Sequence, residues 1–265
     1  MGEKSLIKAD SLTKIYKKNV TALENFSYIF EENKITGLIG LNGAGKSTLL
    51  KILSMQLYPT CGSIEINGEK IDFQNDSEKK IALLKGKIGF VSENAQFNGD
   101  LNVSELLQNT CKFYGEVDTK NKTEQNYQRL LKLCSLQDVV DKKIKTLSKG
   151  YRQRLSFALA LANDPEILIL DEPISGLDPV QINEIRCLVN TLKKGRTIIL
   201  STHIMQEVTA LCDNIIILNK GKIIQSGSEK EILETTGESD IEKAFIKLQG
   251  NENISTENSS KEENL

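Results

Sequence analysis

The residues best suited to chemistry form a glycine-rich segment, Gly40-Leu-Asn-Gly-Ala-Gly-Lys-Ser-Thr48, between an apolar run and a leucine-rich one. Two spaced glycines followed by a lysine and a serine match the pattern of a phosphate-binding P-loop. Glycines let successive backbone N–H groups point at phosphate oxygens, and the positive end of the following helix attracts the same anion. We expect Lys46 to neutralise the terminal phosphates and the Ser47 hydroxyl to contact Mg²⁺.

Carboxylates follow a second apolar run, Ile167-Leu-Ile-Leu, and the chain's one histidine follows a third. A carboxylate at the end of a buried strand needs a partner, which a metal ion supplies. We therefore predict Asp171 as a Mg²⁺ ligand and Glu172 as the base that polarises the attacking water. Because α/β sheets present ligands at the carboxyl ends of their strands, His203 is predicted to contact the γ-phosphate.

A second candidate phosphate segment, Leu147-Ser-Lys-Gly-Tyr-Arg-Gln-Arg154, stands just before helix-like sequence. The start of a helix can meet an anion, although Ser148 is equally suited to an ordinary helix cap. The chain carries one copy of this segment and one P-loop. This indicates that it forms half of an assembly of two chains.

The apolar runs predict the elements that position these residues. Runs that are apolar on both faces, alternating with helical sequence, favour a mostly parallel sheet covered by helices. Alternating segments over 5–35 and 62–71 predict a small antiparallel sheet, and the helical pattern over 102–162 predicts an inserted helical subdomain. The expected fold is α/β: a P-loop NTPase core with an antiparallel β subdomain and a helical subdomain.

Composition excludes several function classes. The chain has 265 residues and a formal net charge of −2, so no basic field indicates nucleic acid or an anionic membrane surface. Its longest apolar run, over 157–162, is far shorter than the roughly 20 residues of a membrane-spanning helix. Five cysteines without a Cys-x-x-Cys spacing predict buried, reduced thiols and a cytosolic compartment.

Taken together, the motifs resemble those of the ATP-binding subunits of ABC transporters, in the order and spacing of that family, from Leu6 to about Leu233. The resemblance implies that Tyr16 stacks on adenine, that Ser148 and Gly150 touch the ATP held by a second subunit, and that Asp178 couples the two sites. The predicted catalytic residues are Glu172, His203 and Lys46. The predicted metal contacts are Ser47, Asp171 and Glu93. The predicted ATP-binding residues are Tyr16, Gly40, Asn42, Gly43, Ala44, Gly45, Lys46, Ser47, Thr48, Ser148 and Gly150.

One segment and one single residue depart from the family pattern. Lys149-Gly150-Tyr151 stands where the family usually has Gly-Gly-Gln, and Glu93 stands where it usually has glutamine. A carboxylate at position 93 can still reach Mg²⁺ through water, but it cannot donate a hydrogen bond. Both variants resemble those of bacterial exporter ATPases for drugs, sodium or gliding-related cargo.

The resemblance implies a Mg-dependent ATPase with ATP and Mg²⁺ as cofactors, paired as a homodimer with a second ATP-binding subunit. Its hydrolysis would drive transport of an unknown substrate through a separate transmembrane permease, from a peripheral position on the cytoplasmic face of the membrane. The expected domains are an ATP-binding domain over 1–236 with a helical subdomain over about 100–155, a C-terminal helix over 237–250 and a disordered tail over 251–265. The alternative is a soluble ABC ATPase acting on the ribosome, nucleic acid or a cofactor-assembly complex.

Overall fold

The computed structural model describes residues 5–73, 75–114 and 120–250, so the tail predicted to be disordered lies outside them. The strands are β1 (Ser5–Tyr16), β2 (Val20–Glu31), β3 (Ile35–Gly40), β4 (Cys61–Ile66), β5 (Glu69–Ile71), β6 (Ile88–Val91), β7 (Ile167–Asp171), β8 (Thr197–Ser201), β9 (Asn214–Asn219) and β10 (Lys222–Gly227). The helices are α1 (Lys46–Leu53), α2 (Glu78–Lys85), α3 (Val103–Tyr114), α4 (Lys120–Leu133), α5 (Lys149–Ala160), α6 (Pro179–Leu192), α7 (Met205–Leu211), α8 (Glu229–Thr236) and α9 (241–250).

The main sheet has six strands in the order β10-β9-β3-β8-β7-β6. The five from β9 to β6 are parallel, and β10 returns antiparallel to β9 as an edge strand. Every residue of β3, β7 and β8 is buried, which explains why these strands are apolar throughout and do not alternate. The predicted parallel core is confirmed.

A second sheet has four antiparallel strands in the order β2-β1-β4-β5. Along β2 the buried residues are Leu23, Phe26 and Phe30, and an irregularity in the pairing with β1 between Leu23 and Phe26 lets all three face the same core despite their uneven spacing. The buried face of β2, the helix α1 and one face of the main sheet together form one hydrophobic cluster, which includes Phe26, Phe30 and Leu49. The predicted antiparallel sheet is confirmed, and its core is shared with the P-loop helix.

Helices α3, α4 and α5 occupy the chain between β6 and β7. Among the described residues of this stretch, the only β pairing is a single bridge between Asn102 and Lys143. The inward faces of the three helices form one hydrophobic cluster with α6 and one face of the parallel sheet. This continuous core fixes α5, and therefore the second candidate phosphate segment, relative to the strand ends.

Helix α6 begins with a proline and a side-chain cap. Pro179 occupies its first turn and the Asp178 carboxylate accepts hydrogen bonds from the backbone N–H groups of Val180 and Gln181, both at 3.0 Å. Its buried stripe consists of Ile185, Leu188, Val189 and Leu192.

All five cysteines are free thiols, as expected. The expectation that each is buried is wrong for Cys61 and Cys187, which are exposed on β4 and α6. Cys61 begins a strand and Cys187 lies on the solvent side of an amphipathic helix, so neither position faces a core. Across the described ranges, no helix combines the length and the apolar character that crossing a bilayer requires.

Candidate functional site

The glycine-rich segment forms the turn between β3 and α1. Gly43 and Gly45 have φ angles of 83° and 106°, which side-chain-bearing residues rarely adopt. Gly45 caps α1, and no side chain accepts a hydrogen bond from the helix's first N–H groups. These donors therefore point out of the turn together with the positive end of the helix, which makes the turn suited to hold an anion.

Lys46 is the first residue of α1 and is only 8% exposed. Its ammonium donates to the backbone carbonyl oxygens of Gly40 at 2.7 Å and Leu41 at 3.3 Å, so it folds back over its own loop. Burial lowers the pKa of Lys46, and the nearby carboxylates of Glu172 and Asp171 oppose that shift. A buried cation beside a bare turn of N–H groups favours a polyvalent anion as the natural partner of this loop.

Asp171 ends β7 beside the P-loop and is 9% exposed. Its Oδ1 accepts a hydrogen bond from Ser201 Oγ at 2.6 Å, and Ser47 Oγ lies 3.4 Å from the same oxygen. The two predicted residues Ser47 and Asp171 therefore lie next to each other, where the ends of β7 and β8 meet the start of α1.

Glu172 follows directly and has a φ of 48°, an unusual conformation for a residue with a side chain. Its backbone N–H donates to the carbonyl oxygen of Ser201 at 3.2 Å and to Ser201 Oγ at 3.1 Å. These bonds fix the start of the turn that follows β7. Its Oε2 lies 2.8 Å from His203 Nδ1. The carboxylate is largely buried and the imidazole is exposed, so a base and a second polar group stand together at the edge of the sheet.

Tyr16 ends β1 near the same turn. It is 42% exposed, and its hydroxyl lies 3.4 Å from Thr48 Oγ1. An exposed aromatic ring attached to the side of the P-loop offers a face on which a base can stack. Asn42 is exposed and Ala44 is buried, with its backbone N–H donating to Leu41 O at 3.1 Å.

The second candidate phosphate segment stands apart from the first. No hydrogen bond among the described residues joins Ser148 or Gly150 to the P-loop. Ser148 caps α5 by accepting from the backbone N–H of Tyr151 at 3.3 Å, and Gly150 packs so closely on Gln181 that a Cβ there would lie 2.5 Å from the Gln181 Cδ atom. The capping interpretation of Ser148 therefore holds, and Ser148 itself is exposed at the start of α5.

Glu93 lies on the segment that follows β6. Its carboxylate accepts from Ser175 Oγ at 3.4 Å, and no described hydrogen bond joins it to Ser47 or Asp171. The structure therefore places the three predicted metal contacts in two groups.

The oxygen set of Ser47 and Asp171 fits Mg²⁺, which favours hydroxyl and carboxylate oxygens and completes its octahedron with phosphate oxygens and water. Within the described part of the chain, no group of three or more His, Cys, Asp or Glu side chains is arranged to hold a metal by itself.

Two residues of this site were not anticipated from the sequence. Ser201 holds both acidic residues, since its hydroxyl donates to Asp171 and accepts from the Glu172 N–H. A small hydroxyl residue at the end of a buried strand is the signal that could have identified it. Gln181 supports Gly150 from α6, and no sequence pattern connects those two positions.

This combination of fold and site resembles known proteins. The model of the ABC transporter family matches residues 23–175. The chain is 36% identical over 236 residues to the methionine import ATP-binding protein MetN 1 of Oenococcus oeni, which covers 86% of this chain and 65% of that protein. It is 33% identical over 235 residues to the ABC transporter ATP-binding protein NatA of Bacillus subtilis, covering 87% and 91%.

Among solved structures, the dimeric ATP-binding cassette MJ0796 bound to ADP and Pi superposes with a TM-score of 0.76. Its sequence identity is 27%, and the match covers 84% of this chain and 98% of that one. The family match spans more than half of this chain, and the NatA match spans nearly all of both sequences. The chain belongs to the ABC transporter family, among its ATP-binding proteins.

Proposed function

We propose that this chain binds and hydrolyses ATP to power transport of a substrate through a separate transmembrane permease, while lying on the cytoplasmic face of the membrane. The observation that carries the proposal is the meeting of Lys46, Asp171, Glu172 and His203 at one edge of the parallel sheet. A phosphate-binding turn alone would support nucleotide binding. A carboxylate paired with a histidine beside that turn adds the means to activate water.

We infer the role of each residue of the site from its position. The N-terminus of α1, with Gly40, Gly43 and Gly45 in the turn before it, surrounds the phosphates, and Lys46 leaves its carbonyl partners to neutralise them. Tyr16 stacks on the adenine. Ser47 and Asp171 would hold Mg²⁺, which would neutralise charge on the phosphates, and Glu93 would reach it through water.

Hydrolysis depends on the pair at the strand ends. Glu172 accepts a proton from the water that attacks the γ-phosphate, and its fixed φ and Ser201 contacts keep the carboxylate at the sheet edge. His203 lies 2.8 Å from Glu172 and contacts the same phosphate. As the proton passes from water to a carboxylate oxygen of Glu172, the water oxygen bonds to the γ-phosphorus and the bond between the γ-phosphorus and the bridging oxygen breaks, which leaves ADP and phosphate.

A second ATP-binding subunit completes the site. Among the described residues no hydrogen bond joins Ser148 or Gly150 to this chain's own P-loop, and Ser148 is exposed at the α5 N-terminus, which suits an ATP held by another copy. Asp178 couples the two halves. Support for pairing comes from the dimeric form of the similar cassette MJ0796.

The proposal is tested by measuring phosphate release from ATP with purified chain, with and without Mg²⁺. We expect Mg-dependent turnover and its loss in Lys46→Ala, because the phosphates lose their buried cation. The membrane role is tested by isolating membranes from the cells that encode the chain and probing them for it. Recovery of the chain in the soluble fraction alone, or bound to ribosomes, would refute that role and favour the soluble alternative.

A further inference from the structure

One turn links the proposed water-activating residue to the helix α6 that follows it. We call this segment, residues 172–178, the 172–178 turn. It starts at Glu172 with a φ of 48° and contains Gly176 with a φ of 65°, so two of its residues are in left-handed conformations. Its first residue, Glu172, donates a backbone hydrogen bond to Ser201 Oγ, and its last residue, Asp178, caps α6. Its middle is held internally by two backbone bonds of 3.2 Å, from Ser175 N to Glu172 O and from Leu177 N to Ile174 O.

Two charged side chains reach the middle of the turn from outside. From one side, the Glu93 carboxylate accepts the hydrogen bond of Ser175 Oγ at 3.4 Å. From the other, the Lys149 ammonium lies directly against Gly176, where an added Cβ would be 2.5 Å from Lys149 Nζ. Glycine at position 176 therefore leaves room for the ammonium. Glu93 and Lys149 also line the same cavity of about 690 Å³ between the segment after β6 and α5.

The two side chains carry opposite charges and contact neighbouring residues of the turn, Glu93 at Ser175 and Lys149 at Gly176. At both positions this chain has a charged residue where the family usually has a neutral one. Each change alone would add one charge beside the turn, whereas the two together add no net charge. Their contacts with neighbouring residues of one turn give the two departures a single physical explanation.

We propose that Glu93 and Lys149 are a charge-complementary pair of positioning residues that hold the 172–178 turn, and through it Glu172, from two sides. The consequence for hydrolysis rests on the proposed function, since the turn affects turnover only if Glu172 activates water. The effect on the turn itself requires no nucleotide.

The direct test is a double-mutant cycle on the nucleotide-free chain, read by amide hydrogen exchange of the 172–178 turn. Glu93→Gln and Lys149→Met each remove a charge at nearly constant size. We expect each to raise exchange by about 2–5-fold, and the double variant to raise it by less than the product of the two, because an exposed pair couples by a similar factor. The coupling should shrink at 0.5 M NaCl, where solvent-exposed charges are screened.

The control is Lys145→Met. Lys145 lines the same cavity, but its ammonium is bonded to Asp100 at 2.7 Å and has no described contact with the turn. It should show no coupling with Glu93→Gln. Effects of Glu93 and Lys149 that simply multiply, a coupling that salt leaves unchanged, or equal coupling with Lys145 would each overturn the proposal.

A catalytic measurement separates this inference from the proposed function. We expect the single variants to lower kcat by about 2–5-fold with little change in KM for ATP, and the double variant to show the same coupling. If the wild-type chain lacks Mg-dependent turnover, the proposed function fails while the exchange cycle still decides the positioning role. If Glu93 acts only as a metal contact, its variant will change the Mg²⁺ dependence and leave nucleotide-free exchange unaltered, which overturns the pair.

Discussion

Two glycines of the P-loop should respond very differently to the same substitution. An added Cβ at Gly45 would overlap the carbonyl oxygen of Ala22, and φ there is 106°. At Gly43 φ is 83°, but a Cβ would meet nothing within 4 Å. Gly43→Ala therefore costs backbone strain alone, about 1–2 kcal/mol. Gly45→Ala adds an overlap with backbone that cannot move aside, which brings its cost to about 3 kcal/mol or more.

The assay is urea unfolding of the nucleotide-free variants, with the free energy of unfolding taken from the midpoint at a shared slope. In a domain of this size, at about 2–4 °C per kcal/mol, the expected losses correspond to roughly 2–8 °C in Tm for Gly43→Ala and at least about 6 °C for Gly45→Ala. Saturating ATP, at a hundred times its Kd, should stabilise the wild type by about 2.7 kcal/mol, and it should stabilise Gly43→Ala by much less because the methyl group enters the phosphate space.

Equal losses of stability in the two variants would refute this reasoning. They would mean that Gly45 is required by the nucleotide alone and that its approach to Ala22 does not constrain the fold. Full ATP stabilisation of Gly43→Ala would refute the second part, since the open space beside Gly43 would then not hold phosphate.

Three further predictions concern the supports of the site. Ser201→Ala removes the hydrogen bond to a buried Asp171 oxygen and one to Glu172 N, so urea unfolding should show a loss of about 1–3 kcal/mol; a loss below 0.5 kcal/mol would contradict the proposed anchoring. Asp178→Ala removes the α6 cap and should cost about 1 kcal/mol, with Asp178→Asn costing less; equal costs would contradict a capping role. Thiol labelling at pH 8 should modify the exposed Cys61 and Cys187, whereas burial raises the pKa of Cys134 to about 12 and protects it until denaturant is added. Rapid labelling of Cys134 in the folded chain would show that the turn directly after α4 does not pack as described.

The strands and the main site residues could be predicted from local sequence because each depends on a short pattern. Buried parallel strands read as apolar runs, and the carboxyl ends of such strands meet at one edge, which is enough to bring Asp171 and His203 near the P-loop. The Ser148 cap could likewise be predicted, since a serine directly before a helix serves this purpose.

What could not be predicted depends on contacts between distant segments. Ser201 holds Asp171 because β7 and β8 pair in a register that sets these two residues side by side. Gln181 meets Gly150 because α5 and α6 share one hydrophobic cluster. The exposure of Cys61 and Cys187 also depends on which face of an element is covered, and a cysteine's own preference for burial does not decide this.

The most direct test of the central claim is the Glu172→Gln variant, which keeps the shape of the side chain and removes its ability to accept a proton. Its rate of phosphate release with saturating ATP and Mg²⁺ should fall by about 100-fold or more while ATP is still bound. Molar mass measured by light scattering should show a larger dimer fraction with ATP than the wild type shows, since ATP persists between the subunits. Glu234→Gln, an exposed carboxylate on α8, serves as the control. Turnover in Glu172→Gln equal to that of the control would contradict the assignment of Glu172 as the residue that activates water.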